Sequence, residues 1–379
     1  MDPLSERLRY KTLDRFAYMN QASLGLIDQS SVKKMVDFLK NYGQHGNALI
    51  SDIEEIELLL PIKKKAAKLF RCKPRNIAIL SSASEFLSQI PYRLRRSNRG
   101  TIILVDSDFP SLIRPWYGAK KNGKDYQIKF AKDDRNSSLT EEIIKLVDSK
   151  TAAVVVSHVQ FSTGTRIDIK RVKKAVEQAG ALFVLDITQS AGVLSFNDQT
   201  FAADALVSSG YKWLGGHGGI ALAILSEKFL EFDPLATGWM SDTDPFSMDT
   251  ENLKFPLSAS KYTQSTISYM TVKGLESSFD QILNLTTEAI ATHAKDMANI
   301  LFESIEKSGW FPFRPINDYE SSPHILTLAK KNSDAKHIYD NLRSEGIITS
   351  LRNGRIRISI AHYNSANDLD KLSGIVAKS

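Results

Sequence analysis

The stretches "LFVLDITQSAG" at 182–192 and "SSGYKWLGGHGG" at 208–219 carry the clearest signals in this chain. In the first, an apolar run ends at Asp186; in the second, Lys212 follows another such run and lies between two aromatic residues. The lysine precedes the glycines, whereas a P-loop places its lysine after them, and the spaced glycines of a dinucleotide site are absent. Lys212 therefore needs a role other than nucleotide binding.

Strand-like apolar runs recur around these two stretches. They are "IAIL" at 77, "TIILVD" at 101, "AAVVVSHV" at 152, "LFVLDI" at 182, "DALVSSG" at 204 and "IALAIL" at 220. Segments of helical period separate several of them, including one with Asp168 as its predicted N-cap and Gly180 as its C-cap. This alternation predicts an α/β fold with a mainly parallel sheet, whose ligands bind where the strands end.

A different pattern begins near residue 282. A long helix is predicted there, and its apolar face consists of Ile290, Ala294, Met297, Leu301 and Ile305. After it, "HILTLA" and the pair "IITSLR" and "RIRISI", joined by Asn-Gly, predict antiparallel strands. We therefore expect a large domain at 16–284 and a smaller α+β C-terminal domain at 285–379, joined by the N-terminal segment 1–15.

Composition narrows the functional class. The chain has 379 residues, 42% apolar and 24% charged, which is typical of a globular protein. Its apolar runs are far shorter than the roughly 18 residues of a membrane span, and the first residues lack a signal core, so we expect a cytoplasmic protein. The net charge of +6 is scattered, which favours a solvated basic surface over nucleic-acid binding. The single cysteine, Cys72, excludes an intrachain disulfide and a cysteine-based zinc cluster, and no metal site is predicted.

An acid that ends one buried strand and a lysine just beyond the next suggest a specific chemistry. Asp186 at a strand end can hold a protonated pyridine nitrogen, and the amine of Lys212 can form a Schiff base with an aldehyde. Both are contributions that proteins make to pyridoxal-phosphate chemistry. A buried ion pair between the two side chains is the structural alternative.

These two stretches resemble the class V aminotransferase family of fold type I pyridoxal-phosphate enzymes. The family includes cysteine desulfurases, selenocysteine lyases, kynureninases and isopenicillin N epimerase-like proteins. The resemblance extends from "YMNQASLGLI" through "LSSASEFLS", "DSDFPS" and "HVQFSTGTRIDI" to "GIITSLRNGRIRISIAHYNSANDLDKL". It implies pyridoxal 5'-phosphate as cofactor, an amino-acid substrate, and a homodimer with active sites at its interface.

The resemblance also implies roles for individual residues. Lys212 would carry the cofactor aldehyde and move the proton at Cα, Asp186 would pair with the pyridine nitrogen, and Gln189 would hydrogen-bond the ring's O3'. The cofactor phosphate would be bound by the following residues: Ser82, Ala83, Ser84, Ser209, Tyr211 and, from the neighbouring subunit, Thr266. Phe109 would stack on the ring, with ordinary core packing as its alternative.

Four residues are candidates for binding the substrate. Arg357 and Arg352 are both candidates for the substrate carboxylate, and Arg357 is preferred because "IRIS...YN" matches the family's terminal pattern. Asn20 lies in the segment that borders the substrate pocket in relatives. His158 closes a strand and either contacts the ligands or is structural.

The reaction itself is less constrained. Persulfide-forming desulfurases need a cysteine on a mobile loop near the substrate arginine, and "IITSLRNGRIR" has none. We therefore predict an enzyme acting at Cα of an amino acid, as a carbon-sulfur or carbon-selenium lyase without a persulfide cysteine. A class V aminotransferase and an amino-acid epimerase are the alternatives among enzymes. A non-catalytic pyridoxal-phosphate-binding regulator or scaffold is the alternative of another class.

Overall fold

The structure is a computed structural model that describes residues 1–48, 50–94, 100–196 and 202–378. The strands are β1 (Ala17–Tyr18), β2 (Ile77–Leu80), β3 (Thr101–Val105), β4 (Gln127–Ala131), β5 (Thr151–Ser157), β6 (Leu182–Asp186), β7 (Ala205–Ser209), β8 (Ala221–Leu225), β9 (Trp310–Pro312), β10 (Ile325–Lys330), β11 (Ile347–Ile348), β12 (Ser350–Arg352) and β13 (Arg355–Ser359). The helices are α1 (Gln29–His45), α2 (Asp52–Glu57), α3 (Leu60–Leu69), α4 (Ala83–Arg93), α5 (Pro110–Lys121), α6 (Leu139–Leu146), α7 (Ile169–Ala179), α8 (Glu227–Leu230), α9 (Tyr269–Leu285), α10 (Thr287–Ile305), α11 (Ala335–Ser344) and α12 (Ala366–Val376). Within the described ranges, none of these helices has both the length and the apolarity needed to cross a membrane.

The large sheet is seven-stranded, in the order β2-β8-β7-β6-β5-β3-β4. Every strand is parallel to the others except β8, which is antiparallel to both of its neighbours. Only a loop joins β7 to β8, whereas a parallel connection needs a crossover of a dozen or more residues. The predicted α/β class with a mainly parallel sheet is confirmed. Because β2, β3, β5, β6 and β7 are mutually parallel, their carboxyl ends meet at one edge.

Helices cover both faces of this sheet, because nearly every residue of its inner strands is buried. Val154 and Val156 pack into a core with α3, α7 and α9, whereas Ala153 and Val155 pack into a second core with α4 and α5. Successive side chains of a strand point to opposite faces, so both faces of β5 must be apolar. Helix α7 begins and ends as predicted, with the Asp168 side chain accepting from the backbone at its start and Gly180 left-handed at its end.

The second sheet is antiparallel, in the order β12-β13-β10-β9. Asn353 and Gly354 turn the β12–β13 hairpin with φ of 49° and 71°, as a type I′ turn requires. The predicted apolar face of α10 is buried. Helices α9 and α10 are separated at Thr286, which has a φ of 66°. The division into domains at 284/285 stays a prediction.

The N-terminal segment joins the C-terminal part of the chain. Strand β1 pairs in parallel with β11, an arrangement the sequence did not predict, since we expected β11 to continue into the hairpin. Further along, the backbone N–H of Met19 donates to the carbonyl of Ile348, and its carbonyl accepts from Ser359. Earlier in the segment, Arg7 forms an ion pair of 2.6 Å with Asp368. Residues 17–26 continue from there toward Lys212.

Candidate active site

A cleft of about 190 Å³ opens at the edge where the parallel strands end. It is lined by Ser82, Ala83, Ser84, Phe109, Ser111, Ser157, Phe161, Asp186, Thr188, Gln189, Ser209, Tyr211 and Lys212. The predicted acid, lysine, glutamine, aromatic residue and phosphate loop are therefore brought together. Ser111, Ser157, Phe161 and Thr188 are lining residues that the sequence did not single out.

Asp186 lies at the floor of the cleft, at the end of β6. Its side chain is buried, with 7% of the residue exposed, and it accepts a hydrogen bond of 2.7 Å from the backbone N–H of Thr188. Burial raises the pKa of the Asp186 carboxyl, while the Thr188 hydrogen bonds and the charge of Lys212 oppose that rise. A cationic ligand group placed against Asp186 would stabilise its charged form.

Lys212 is buried to the same extent, with 7% of the residue exposed. Its Nζ lies 5.3 Å from the ring centre of Phe109 and 5.7 Å from that of Tyr211. Burial lowers the pKa of Lys212 to about 8, against the attraction of Asp186 and with help from the positive charges of Arg357 and Arg352. Lys212 and Asp186 do not form an ion pair, although both side chains are described. An amine with this pKa is neutral in part at physiological pH, which suits a nucleophile or a base.

The backbone around Lys212 is held by the N-terminal segment. Gln21 donates from Nε2 to the carbonyl of Lys212 at 2.9 Å, and the N–H of Gly25 donates to the carbonyl of Tyr211 at 2.9 Å. A Cβ at Gly25 would lie 2.2 Å from the Lys212 carbonyl oxygen, so only glycine allows this approach. Gln21 follows Asn20 in the segment that the resemblance placed beside the substrate pocket, but no local pattern pointed to Gly25.

The amide of Gln189 is fixed from both sides. Its Oε1 accepts from Trp213 at 2.8 Å, and its Nε2 donates to the carbonyl of Ala22 at 3.0 Å. An amide nitrogen carries two protons, so one donor of Gln189 remains for a ligand in the cleft.

The start of α4 forms one end of the cleft. The Ser82 hydroxyl caps this helix by accepting from the backbone of Glu85 at 3.1 Å, and the Ser84 and Ser111 hydroxyls lie 2.8 Å apart. The free N–H groups and positive dipole end of a helix of this length favour an anion. Ser209 extends the same end from β7, with its N–H donating to the hydroxyl of Thr188.

Two aromatic rings form the wall of the cleft. Phe109 precedes α5, remains 39% exposed, and meets Phe161 edge to face at 5.4 Å. One face of Phe109 points toward the amine of Lys212. A flat ring at the cleft mouth can pack against a planar ligand.

Arg357 is buried beside the cleft, with only 1% of the residue exposed. Its Nη1 donates to the carbonyl of Phe161 at 2.7 Å, and its Nη2 contacts the Asn20 amide oxygen and the hydroxyls of Ser23 and Ser350. Burial, together with the charge of Arg352, lowers the pKa of Arg357 to about 9. Neither arginine lines the 190 Å³ cleft itself. Arg357 reaches it through Phe161.

Three other residues discussed from the sequence lie away from the cleft, namely His158, Thr266 and Cys72. His158 faces the opposite side of the sheet from Ser157, bonded to Ser190 at 2.9 Å and packed on Phe196. Burial lowers the pKa of His158 to about 3, so its position supports the structural alternative. Thr266 is exposed and outside the cleft. Cys72 is also outside it, and burial raises the pKa of its thiol to about 12.

A comparison with protein families identifies the class of protein to which this cleft belongs. A model of the class V aminotransferases matches residues 17–372. The chain belongs to the class V aminotransferase family. Enzymes of this family depend on pyridoxal phosphate, so this protein is a pyridoxal-phosphate-dependent enzyme.

Class V relatives of several named activities resemble the chain at low identity. A probable cysteine desulfurase of Borreliella burgdorferi is 24% identical over 93% of this chain and 89% of its own. A kynureninase of Deinococcus radiodurans is 21% identical over 77% of this chain and 70% of its own. An uncharacterized aminotransferase of Bacillus subtilis is 20% identical over 97% and 96%.

Several solved structures share the fold of this chain. The cysteine desulfurase of Thermococcus onnurineus NA1 has a TM-score of 0.86 at 19% identity, covering 98% of this chain and 96% of that one. A cystine C-S lyase in complex with cysteine persulfide has a TM-score of 0.86 at 16% identity, covering 97% and 99%. A mutant of C-DES with glycine covalently linked to its pyridoxal-phosphate cofactor has a TM-score of 0.87 at 16% identity, covering 98% of this chain and 99% of that one. The predicted fold type I architecture is thereby confirmed.

Proposed function

We propose that this class V enzyme breaks the bond between Cβ and a sulfur, or selenium, atom of an amino acid without a persulfide cysteine. The carrying observation is a cleft that contains Lys212 and Asp186 and no cysteine. The only cysteine of the chain, Cys72, lies outside the cleft with its thiol pKa raised to about 12. A thiolate that accepts sulfur must be deprotonated and close to the substrate, and Cys72 meets neither requirement.

The cleft suits pyridoxal phosphate in charge and in shape. Ser82, Ser84 and the start of α4 would hold the phosphate, the Phe109 ring would pack on the pyridine, and Asp186 would hold the pyridine N–H. Lys212 would carry the cofactor covalently. When bound, pyridoxal phosphate withdraws electrons from Cα of the amine joined to it.

The protein's own groups then move the protons. The Lys212 amine, with its pKa lowered to about 8, would take the Cα proton and return a proton later. In a β-elimination the Cβ–S electron pair leaves on sulfur, so one water is consumed and a thiol, pyruvate and ammonium are released. Arg357 would hold the α-carboxylate, and Asn20 borders the same position.

Two kinds of relative support this reaction. The cystine C-S lyase shares the fold over nearly the whole chain, and two curated relatives are named probable cysteine desulfurase. Both names describe cleavage at sulfur. Kynureninases and an aminotransferase are also among the relatives. The test below therefore includes transamination and other reactions at Cα as outcomes.

The test is product analysis with the reconstituted holoenzyme. We expect L-cysteine S-conjugates to give pyruvate and ammonium, with no loss after Cys72→Ala. A shift to the pyridoxamine form that a 2-oxo acid reverses would show an aminotransferase instead, and loss of optical activity alone would show an epimerase. A holoenzyme that is inert toward every amino acid tested would indicate a non-catalytic scaffold.

Attachment of the cofactor is tested separately by borohydride reduction and peptide mapping. We expect the pyridoxyl label on Lys212 and its loss in Lys212→Ala. Lys63 offers a matched control, because burial also lowers its pKa to about 8 but it bonds Ser260 away from the cleft. Lys63→Met should keep the label, and a label that survives in Lys212→Ala would refute the assignment.

We also propose a homodimer whose interface includes α1. Val32, Val36, Leu39 and Tyr42 form an exposed apolar stripe at helical spacing on this helix. Thr266 is exposed as well, which is compatible with a contact to the partner's cofactor phosphate. Sedimentation equilibrium should give twice the chain mass, and Leu39→Glu should weaken that association.

A further inference from the structure

One face of the β12–β13 hairpin is strongly cationic. Ser350 lies opposite Arg357, and Arg352 lies opposite Arg355 in the antiparallel register. Opposed residues share a face, as do residues two apart in a strand, so the three arginines and Ser350 lie on one side. Like charges at opposed positions destabilise a hairpin, so this arrangement needs a compensating reason.

No acidic side chain among the described residues neutralises these guanidinium groups. Arg352 donates to the carbonyl of Leu351 at 2.8 Å and to the hydroxyl of Ser23 at 3.3 Å. Arg355 lies over the ring of Phe313, 4.9 Å from its centre. Within the part of the chain that the structure describes, the Nε of buried Arg357 has no hydrogen-bond partner, and its other nitrogens contact only neutral oxygens.

Two of the three guanidinium groups converge on one atom. The Nη2 atoms of both Arg352 and Arg357 donate to the hydroxyl oxygen of Ser23. Two donors that share one acceptor are at most about 6 Å apart, given ordinary hydrogen-bond lengths. A hydroxyl cannot balance two positive charges, so the described residues leave the pair without a counter-charge.

The two arginines differ in how firmly they are held. Arg357 is buried in the inner strand β13 and bonds four different residues. Arg352 is only half-buried in the edge strand β12, and Ser23 is its single side-chain partner among the described residues. Arg357 is therefore a fixed anchor next to Phe161, and Arg352 lies on the outer side of that anchor.

We propose that Arg352 forms a second anion subsite and that the substrate is an amino acid whose side chain ends in a carboxylate-like anion. This rests on the proposed function, in which Arg357 holds the α-carboxylate. Guanidinium groups bind carboxylates, sulfinates and sulfonates through paired N–H donors, which gives both affinity and orientation. A substrate with two such groups balances the two charges that meet at Ser23.

The electrostatics of the cleft agree with this subsite. The charges of Arg357 and Arg352 both lower the pKa of Lys212, so both guanidinium groups act on the reacting amine. A dianionic substrate would offset both. In the competing arrangement both arginines bind the same substrate carboxylate. The enzyme would then not distinguish a neutral side chain from an anionic one.

The test compares two nearly isosteric substrates, S-carboxymethyl-L-cysteine and S-carbamoylmethyl-L-cysteine, which differ in the charge of the side-chain end. We expect the wild-type holoenzyme to favour the acid over the amide at least tenfold in kcat/KM for pyruvate release. Arg352→Gln should reduce that ratio to near one. Arg357→Gln should lower kcat/KM for both substrates and keep most of the preference.

Arg355→Gln is the matched control. It removes the same charge from the same hairpin face, but Arg355 packs on Phe313 and not against Ser23. It should leave the ratio within about threefold of wild type. Equal losses for acid and amide in Arg352→Gln would overturn the second subsite in favour of the single-carboxylate clamp. A wild-type enzyme without preference for the acid would overturn it as well.

A binding readout separates this proposal from the reaction assignment. Titration of either compound into the holoenzyme changes the visible absorbance of the cofactor and gives a Kd ratio without turnover. If no pyruvate forms but the Kd ratio favours the acid and falls in Arg352→Gln, the lyase assignment fails and the subsite stands. If both compounds give pyruvate at equal kcat/KM, the lyase assignment stands and the subsite fails.

Discussion

Arg314 and Arg357 have the same side chain and nearly the same burial, with 4% and 1% of each residue exposed, but opposite surroundings. Arg314 forms ion pairs with Asp133 at 3.2 Å and Glu320 at 3.7 Å. Arg357 contacts only hydroxyl, amide and carbonyl oxygens. A buried cation whose charge is balanced within the chain supports the structure, whereas one left unbalanced is available to a ligand.

The balanced arginine connects the second sheet to the loops that carry the cleft. Arg314 follows β9 and donates to the hydroxyl of Thr165 at 3.1 Å. Its partner Asp133 also accepts from Ser107, two residues before Phe109. Glu320 accepts from the first backbone N–H groups of α6. These contacts fix the positions of the cleft walls without entering the cleft.

The largest expected effect comes from removing the balanced charge. Arg314→Met leaves Asp133 and Glu320 buried without a cation, so we expect the free energy of unfolding to fall by about 3–5 kcal/mol. Urea denaturation followed by circular dichroism measures it. Arg135→Met removes an exposed arginine of the neighbouring loop and should cost less than about 1 kcal/mol. A similar small loss in Arg314→Met would show that the ion pairs add no stability.

Removing the unbalanced charge should separate stability from activity. In Arg357→Met the remaining polar groups can bond one another, since Ser350 already lies 3.0 Å from Ser23 and 2.8 Å from Asn20. We expect the free energy of unfolding to change by less than about 1 kcal/mol. We expect kcat/KM to fall roughly 100-fold or more, because the substrate carboxylate would lose its buried cationic partner. Urea denaturation and steady-state kinetics on one preparation test both. A loss of stability as large as in Arg314→Met would abolish the contrast.

The smallest effect concerns the pH dependence of cofactor capture. Only the neutral amine of Lys212 attacks an aldehyde, and its pKa is lowered to about 8, so the rate of covalent capture by apoenzyme should rise with pH around 8. Because the charge of Arg357 lowers this pKa, Arg357→Met should move the midpoint to higher pH. Stopped-flow absorbance at several pH values measures the shift. Arg314→Met, remote from the amine, should leave the midpoint in place, and an equal shift in both variants would contradict the assignment.

Local patterns were sufficient for the fold and for much of the cleft. Buried apolar runs identify the strands, and residues that follow them, such as Asp186 and Lys212, meet because parallel strands end at one edge. The Asn353-Gly354 turn is a strong local signal because it requires positive φ at both positions. The residue roles carried over from the family resemblance stay predictions, and Thr266, one of those residues, lies outside the cleft of its own chain.

Contacts between distant segments were beyond sequence patterns. Ser157 lines the cleft and His158 does not, because neighbouring residues of a strand face opposite sides and the sequence does not say which side is which. The three arginines of the hairpin are equivalent in sequence, and only the register and Ser23 distinguish them. The Arg314–Asp133 pair joins loops far apart in the chain, which no local period encodes.

The N-terminal segment that holds the Lys212 backbone has a consequence for biosynthesis. Its residues are translated first, but they bond the last strands, as Ser5 does with His362 across 357 positions. The contacts of the segment with β11 and β13 therefore form only after almost the entire chain has emerged, since contacts of such separation form late. A nascent chain that lacks its last forty residues contains every residue that lines the cleft but lacks Arg357 and the strands that bond the N-terminal segment. We therefore expect the proposed substrate-carboxylate site to be completed only at the end of translation.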